Sequence, residues 1–186
     1  HIHPAVVVVI WLPTIVLLLI GAIVRRPGVR FPFYLPVGFV IGLALWTLVE
    51  YTLHRFVFHF RPRTPRQKRL SFIFHGVHHA QPMSKTRLVM PPALSIPMSL
   101  FFYGLFWLVI SVLFGRPHWL YPVFAGTLSG YLVYDMLHYA THHWKLNWGW
   151  FKFIRHYHLR HHTQTPDLRF GVTSPLWDKV FGTVPV

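Results

Sequence analysis

Residues 130–143 read GYLVYDMLHYATHH, so that an apolar run ends in three closely spaced histidines. The same arrangement occurs earlier, where EYTLHRFVFHF (residues 50–60) follows another apolar run. A helix needs about 20 predominantly apolar residues to cross the hydrocarbon core of a bilayer. The two segments therefore predict membrane-spanning helices with possible metal ligands at their ends.

The composition of the chain also favours a membrane protein. Of its 186 residues, 53% are hydrophobic and only 12% are charged, which is unusual for a soluble domain. The length, without an internal repeat or a Gly/Ser linker, predicts a single domain over residues 1–186. Because the sequence contains no cysteine, thiolate metal sites, disulfides and iron–sulfur clusters are excluded. Any metal must be bound by nitrogen or oxygen.

Four segments are long and apolar enough to span a bilayer, at about residues 4–24, 34–53, 94–114 and 119–137. The first pair is joined by Arg25–Pro32 and the second by the turn Gly115-Arg116-Pro117. We therefore expect an all-α integral membrane fold of four transmembrane helices in two hairpins, with a histidine-rich helical cap. The aromatic and basic segment Trp144–Ile154 is typical of an interfacial helix.

The net charge of +14 is distributed unevenly. Fourteen of the eighteen Lys and Arg residues lie between His54 and Arg87 or after His138. This asymmetry places the histidine-rich cap on the cytoplasmic side, although three arginines between Arg25 and Arg30 fall on the opposite side. The membrane would be the endoplasmic reticulum in a eukaryote and the inner membrane in a bacterium. Since the basic residues flank apolar spans, nucleic acid is not expected as a partner.

Twelve of the fifteen histidines fall in four short clusters on the basic side. Residues three or four apart share one face of a helix, so most clusters can direct two or three imidazoles to one point. His54 and His59, five apart, require a distorted helix end or two different metals. Ten imidazoles in such groups exceed what one transition metal ion accepts, which predicts two ions. The clusters are His54 and His59; His75, His78 and His79; His138, His142 and His143; and His156, His158, His161 and His162.

Two carboxylates lie close to these clusters in the sequence. Glu50 precedes His54 by four residues, and Asp135 precedes His138 by three. Each carboxylate can lie beside a ligand on the same helical face and accept the second N–H of its imidazole, which would orient the ring. Simple pairing with an arginine such as Arg55 is the alternative.

Four blocks of the sequence closely resemble the fatty acid 2-hydroxylases of the membrane fatty acid hydroxylase and sterol desaturase superfamily. They are EYTLHRFVFHF, HGVHHAQPMSKTRLVMPP, GYLVYDMLHYATHH and HLRHHTQTPDLRFGVTSPLWDKVFGT. The resemblance implies a non-haem di-iron centre that uses dioxygen to hydroxylate a fatty acyl chain beside its carboxyl group; zinc can replace iron in a purified sample. The metal ligands it implies are His54, His59, His75, His78, His79, His138, His142, His158, His161 and His162. His143 and His156 fall outside the family pattern.

The resemblance also implies partners. The substrate would be a fatty acyl lipid drawn from the membrane, with Tyr134, Lys85 and Arg87 near the mouth of the site as candidate contacts to its head group. Many eukaryotic members carry a fused haem domain, and nothing in this sequence resembles one. We therefore expect two electrons per turnover from a separate donor of the cytochrome or ferredoxin type.

Three other functions share parts of this pattern. A sterol or carotenoid hydroxylase or desaturase would use the same scaffold on another lipid. A membrane metal transporter or metal-binding protein would place its ligands near mid-bilayer, whereas these histidines lie past the helix ends. A zinc hydrolase with Glu50 as its general base would leave most of the ten histidines unexplained.

Overall fold

The computed structural model describes residues 2–25, 28 and 32–185, and all regular secondary structure within them is helical, as predicted. The α-helices are α1 (Pro4–Val24), α2 (Tyr34–Thr52), α3 (Pro65–Ser71), α4 (Val77–Ala80), α5 (Pro92–Phe106), α6 (Leu120–His143), α7 (Gly149–Thr163) and α8 (Leu176–Val180). Three π-helical segments extend or connect them: Leu53–Phe58 follows α2, Phe72–Gly76 joins α3 to α4, and Trp107–Leu113 follows α5. A 3₁₀ turn, Pro117–Trp119, precedes α6.

Three helices are long and apolar enough to cross a membrane. They are Pro4–Val24, Tyr34–Phe58 and Pro92–Leu113, and they coincide with the first three predicted spans. The fourth predicted span lies in α6, which is not among the three. Of the residues of α6, all of which the structure describes, only Val133 is exposed. Its glycines, serine, threonines and tyrosines are packed inside the protein, which explains why its composition is less apolar than that of a lipid-facing helix.

The two predicted turns differ in what the structure reveals. The first falls largely on residues 26, 27 and 29–31, which lie outside the described residues. At the second, Gly115 has a φ of +61°, a left-handed conformation that glycine adopts without steric cost. The hairpin that this turn was predicted to close stays a prediction.

The chain divides into two compact units. One consists of Ala5–Trp46 and Met90–Val133, and we call it the helical unit. The other contains Thr47–Val89 and Tyr134–Val186, with the N-terminal residues up to Pro4, and we call it the histidine-rich unit. Both α2 and α6 contribute residues to each unit. The prediction of a single domain over residues 1–186 stays a prediction.

The helical unit is held together by a close approach of α2 and α6. A Cβ atom on Gly42 would lie 2.0 Å from the carbonyl oxygen of Val123, and one on Gly126 would lie 2.1 Å from that of Phe39. The two glycines belong to the GxxxG sequences at residues 38–42 and 126–130, a pattern that lets membrane helices pack at short distance. The sequence therefore allows these two backbones to touch.

Helix α7 has two different faces within the histidine-rich unit. Phe151 and Ile154 are buried together with two histidines, whereas Trp150 and Phe153 are exposed. The predicted segment Trp144–Ile154 thus forms a helix from Gly149 onward, preceded by non-helical residues. Its location at the membrane boundary stays a prediction.

Candidate metal centre

The ten histidines predicted as ligands all lie in the histidine-rich unit, where they form two groups of five. In each group, one ring nitrogen from every histidine lies within 4.8 Å of the others, so either group can hold a metal ion. The first group is His54, His59, His75, His79 and His161. The second group is His78, His138, His142, His158 and His162. The groups are neighbours, since the rings of His79 and His162 stack with centroids 4.1 Å apart.

The π-helical end of α2 brings His54 and His59 to one point. The backbone N–H of His59 donates to the carbonyl of His54 at 3.0 Å, which is the i to i+5 pairing of a π-turn. Such a turn places residues five apart on the same face. The distorted helix end considered above is therefore present, and both histidines belong to the first group.

Successive histidines are divided between the two groups. Neighbouring residues of an α-helix point about 100° apart, so His78 and His79 cannot face the same point. His79 shares the first group with His75, four residues earlier, and His78 joins the second. His161 and His162 divide in the same way. The expectation that a cluster can direct three imidazoles to one point is therefore wrong for these two clusters, because the i, i+4 pair stays together and the i+3 member joins the other group.

The distances between ring nitrogens fit the space around a metal ion. Nε2 of His75 lies 3.1 Å from Nε2 of both His54 and His79. In the second group, Nε2 of His78 lies 2.9 Å from Nε2 of His138 and 3.0 Å from Nε2 of His162. With metal–nitrogen bonds of about 2.1 Å, two ligands at right angles are about 3.0 Å apart. The ring nitrogens are thus close enough together to bind a common metal ion.

Backbone carbonyls decide which nitrogen of two rings faces the centre of the first group. Nδ1 of His54 donates to the carbonyl of Phe170 at 2.5 Å, and Nδ1 of His161 donates to that of Leu168 at 2.7 Å. Since a carbonyl only accepts, Nδ1 carries the proton and Nε2 of each neutral ring presents a lone pair. These lone pairs point at the Nε2 atoms of His75 and His59, each 3.1 Å away. A cation at the centre satisfies this donor set.

Burial keeps the imidazoles in the form that binds metals. Burial, with the nearby His161, lowers the pKa of His59 to about 3. The same two causes lower the pKa of His79 to about 4. In the second group, burial lowers the pKa of His158 well below its usual range, and neighbouring His138 adds to the effect. These rings are therefore neutral at physiological pH, as metal coordination requires.

The segment that supplies the two carbonyls is held by Asp178, a residue that the sequence analysis missed. Its carboxylate accepts hydrogen bonds from the backbone N–H groups of Phe170 and Gly171, both at 2.8 Å, and from the Thr183 hydroxyl at 2.7 Å. Asp178 is fully buried in α8. The backbone is also closely packed at Gly171, where a Cβ atom would lie 2.1 Å from the Ser174 carbonyl oxygen. One signal could have found it: Asp178 is one of only four carboxylates in the chain.

Glu50 holds the next two residues of the same segment. Its carboxylate accepts from the N–H groups of Val172 and Thr173 at 2.7 and 2.8 Å, and from the Thr173 hydroxyl at 2.6 Å. The expectation that Glu50 accepts the N–H of His54 is not met, because the Phe170 carbonyl takes that bond. Glu50 therefore acts on His54 through the backbone segment Phe170–Thr173. We call this segment, together with Leu168 and Arg169, the tail loop.

The remaining predicted residues lie in different environments. Asp135 is buried in α6, and the ring of Tyr134 lies 5.7 Å from that of His138 between centroids. Lys85 and Arg87 are exposed in the segment that follows α4. Their assignment as head-group contacts stays a prediction.

Two histidines outside the ligand prediction have other contacts. The ring of His143 lies against that of Tyr139, with centroids 4.5 Å apart. His156 is exposed on α7, and its Nδ1 donates to the Lys152 carbonyl at 2.7 Å. Neither belongs to a histidine group.

Comparison with known proteins gives consistent results. The family model for fatty acid hydroxylase matches residues 39–183. A ceramide very long chain fatty acid hydroxylase of Saccharomyces cerevisiae is 41% identical over 96% of this chain and 44% of its own length. A dihydroceramide fatty acyl 2-hydroxylase of Arabidopsis thaliana is 37% identical over 95% of this chain and 71% of its own length. This chain thus spans less than half of the yeast relative.

A solved structure agrees with these relatives. It is described as full-length Scs7p with only the hydroxylase domain visible, and it superimposes with a TM-score of 0.90 at 39% identity. The match covers 100% of this chain and 68% of that one. Together with the apolar helices, this likeness marks a membrane protein. The chain therefore belongs to the fatty acid hydroxylase family.

Proposed function

We propose that this chain is a membrane di-iron oxygenase that hydroxylates a fatty acyl chain at the 2-position. The observation that carries the proposal is the pair of adjacent five-histidine groups. Family membership and the relatives named as fatty acyl 2-hydroxylases support the choice of substrate and position. The reaction consumes dioxygen, two electrons and two protons; one oxygen atom enters the C–H bond and the other leaves as water.

The ten histidines would each contribute one nitrogen to one of two iron ions. Each group would hold its ion through five ring nitrogens. When bound, the ions would supply the redox chemistry that activates dioxygen, which acid–base side chains cannot provide. Imidazole also suits zinc, so a purified sample can contain zinc in the same groups.

The protein's own residues orient these ligands. The Phe170 and Leu168 carbonyls hold the rings of His54 and His161 with Nε2 directed inward. Asp178 and Glu50 hold the tail loop that carries those carbonyls. We assign Asp135 the corresponding task for the second group, because it is buried three residues before His138. We assign Tyr134, Lys85 and Arg87 to the substrate head group; the ring of Tyr134 lies 5.7 Å from that of His138 between centroids.

The membrane arrangement belongs to the same proposal. Helix α6 would be the fourth span, enclosed by the other three, which accounts for its buried residues. Two hairpins would then direct the histidine-rich unit to the cytoplasmic side, in the endoplasmic reticulum or a bacterial inner membrane. The electrons would come from a separate donor of the cytochrome or ferredoxin type.

An isotope experiment tests the reaction and its position together. Cells that express the protein are fed palmitate carrying two deuterium atoms at carbon 2, and their lipids are hydrolysed and analysed by mass spectrometry. We expect 2-hydroxypalmitate that retains one of the two deuterium atoms. An alkene, a hydroxylated sterol or carotenoid, or hydroxylation at another carbon would contradict the proposal.

Matched variants test whether the histidine groups carry the activity. His75→Ala and His158→Ala each remove one member of a group, whereas His156→Ala removes an exposed imidazole of the same α7 helix. We expect a loss of at least about 100-fold for the first two, since the loss of a residue that only orients a ligand already costs 10–100-fold. His156→Ala is expected to keep wild-type activity. Equal product from all three variants would remove the assignment.

A further inference from the structure

The helical unit has a groove of about 970 Å³ that is unrelated to the histidine groups. It is lined from α2, from the π-helical extension of α5 and from the start of α6, and none of the ten grouped histidines lines it. Several aliphatic and aromatic side chains in it are exposed, among them Ile41, Leu45 and Phe114. In a membrane-embedded protein, exposed apolar side chains of this kind face lipid.

The polarity of the groove changes in the same direction along all three elements. On α2, Tyr34 lies at the first turn, and Leu45 lies eleven residues further along, about 16 Å at the rise of an α-helix. At the start of α6, Trp119 precedes Val123 by about one turn. On the third element, Ile110 lies within the π-helical extension of α5, and Arg116 lies in the turn that follows it. One end of the groove is thus polar and aromatic, and the other is aliphatic.

The polar end carries positive charge that the unit does not neutralise. Arg116 is exposed, and His118 packs edge-on against Tyr34 with ring centroids 5.1 Å apart. The sequence of the helical unit contains four arginines but no Asp or Glu. All four carboxylates of the chain lie elsewhere, at Glu50, Asp135, Asp167 and Asp178. A counter-anion for Arg116 must therefore come from outside this unit.

We propose that this groove binds an anionic glycerophospholipid of the bilayer. Its phosphate would lie at Arg116 and His118, and one acyl chain would run along Ile41, Leu45 and Ile110. An arginine can pair with the lipid phosphate through charge-assisted hydrogen bonds, and aromatic rings beside an apolar groove suit the headgroup level. This lipid is a resident of the protein surface and not the substrate of the proposed hydroxylation.

The test uses detergent-purified protein and dioleoyl phosphatidylglycerol as the probe. Dioleoyl phosphatidylcholine has the same chains with a neutral headgroup, and glycerol phosphate has the anionic headgroup without chains. We measure lipid retention by native mass spectrometry and the midpoint of thermal unfolding. Phosphatidylglycerol should be retained and should raise the midpoint, because a ligand that binds only the folded state stabilises it. The other two compounds should do so weakly or not at all.

Two charge-matched variants locate the site. Arg116→Gln is expected to reduce phosphatidylglycerol retention by about fivefold, the effect of one cation near an anionic headgroup. Arg66→Gln removes an equally exposed cation from α3 and should retain the lipid as the wild type does. Both variants are expected to keep the helical content and metal content of the wild type.

Three results would overturn the proposal. Equal retention of the two phospholipids would mean that the groove does not recognise a charged headgroup. Unchanged retention in Arg116→Gln would place the lipid elsewhere. A full thermal shift with glycerol phosphate would show an anion site without a lipid. None of these results depends on hydroxylation, so they are independent of the proposed function.

Discussion

Replacing Asp178 with asparagine removes one negative charge and turns one acceptor oxygen into a donor, with little change in side-chain size. The carboxylate accepts three hydrogen bonds, two from the tail-loop backbone and one from the Thr183 hydroxyl. One carboxylate oxygen accepts from Phe170 and Thr183, and the other accepts from Gly171. Asparagine has only one acceptor oxygen, so its NH₂ group must face either the N–H of Gly171 or the other two donors. A hydrogen bond to a charged group contributes about 1.5–3 kcal/mol, and an unsatisfied buried donor costs about 1–3 kcal/mol.

The expected loss in the free energy of unfolding is therefore about 3 kcal/mol for Asp178→Asn. In a chain of this length, it corresponds to a fall of about 6–12 °C in the unfolding midpoint. The consequence for metal binding should be confined to one group. The carbonyls of Phe170 and Leu168 orient His54 and His161, both in the first group. The loss of such an orienting partner typically lowers metal affinity 10–100-fold.

Competition with a chelator measures this difference directly. The metal-loaded protein is titrated with chelator, and bound metal per chain is followed by elemental analysis. We expect the wild type to release both ions over one range of chelator concentration. Asp178→Asn should release one ion at a 10–100-fold lower concentration and the second ion as the wild type does.

Asp167→Asn is the matched control, because it removes the same charge from an exposed position one residue before the tail loop. It should change neither the unfolding midpoint nor the release of metal. If Asp178→Asn keeps both ions with wild-type affinity, the tail loop does not position the ligands. If it loses both ions equally, the effect is a general loss of folding and the reasoning is likewise refuted.

Three further predictions concern other parts of the structure. Glu50→Gln should also weaken metal binding by the first group, with a loss of about 2–3 kcal/mol in the free energy of unfolding, and Glu50→Ala should cost more in the same unfolding experiment. Gly126→Ala should lower the unfolding midpoint sharply, because its Cβ would lie 2.1 Å from a carbonyl oxygen. Gly104→Ala is the control, since nothing lies within 4 Å of its Cβ, and equal midpoints for the two variants would contradict the close packing. The metal-free protein should lose stability as the pH falls from about 6.5 toward 4, because the pKa values of His59 and His79 are lowered in the folded state and only the unfolded state takes up protons there. Denaturant titrations at pH 7 and pH 5 measure the free energy of unfolding, and equal values at both would contradict this prediction.

Local patterns of the chain already indicated much of this architecture. The apolar segments predicted four membrane spans, and for three of them the structure has a helix long and apolar enough to span a membrane. Helical spacing also predicted which histidines can act in pairs, as in His75 with His79. Such predictions succeed because hydrophobic length and i, i+4 spacing are properties of one segment and need no knowledge of its neighbours.

The division of the histidines into two groups depends on the tertiary structure. His78 and His79 are adjacent in sequence, yet they belong to different groups because their partners come from other helices. The link between His54 and His59 required a π-turn, which no spacing rule for α-helices predicts. Asp178 acquires its role only when α8 packs against the tail loop, eight residues from Phe170 along the chain.

The sequence, through its local patterns and its family resemblance, thus predicted the helical, membrane-type character of the chain and its ten candidate ligands. The tertiary structure decided which ligands share a centre and which backbone groups orient them. The physical reason is that coordination and hydrogen bonding act over about 3 Å between atoms from distant segments. The sequence separation between His59 and His161, whose Nε2 atoms lie 3.1 Å apart, carries no information about that distance.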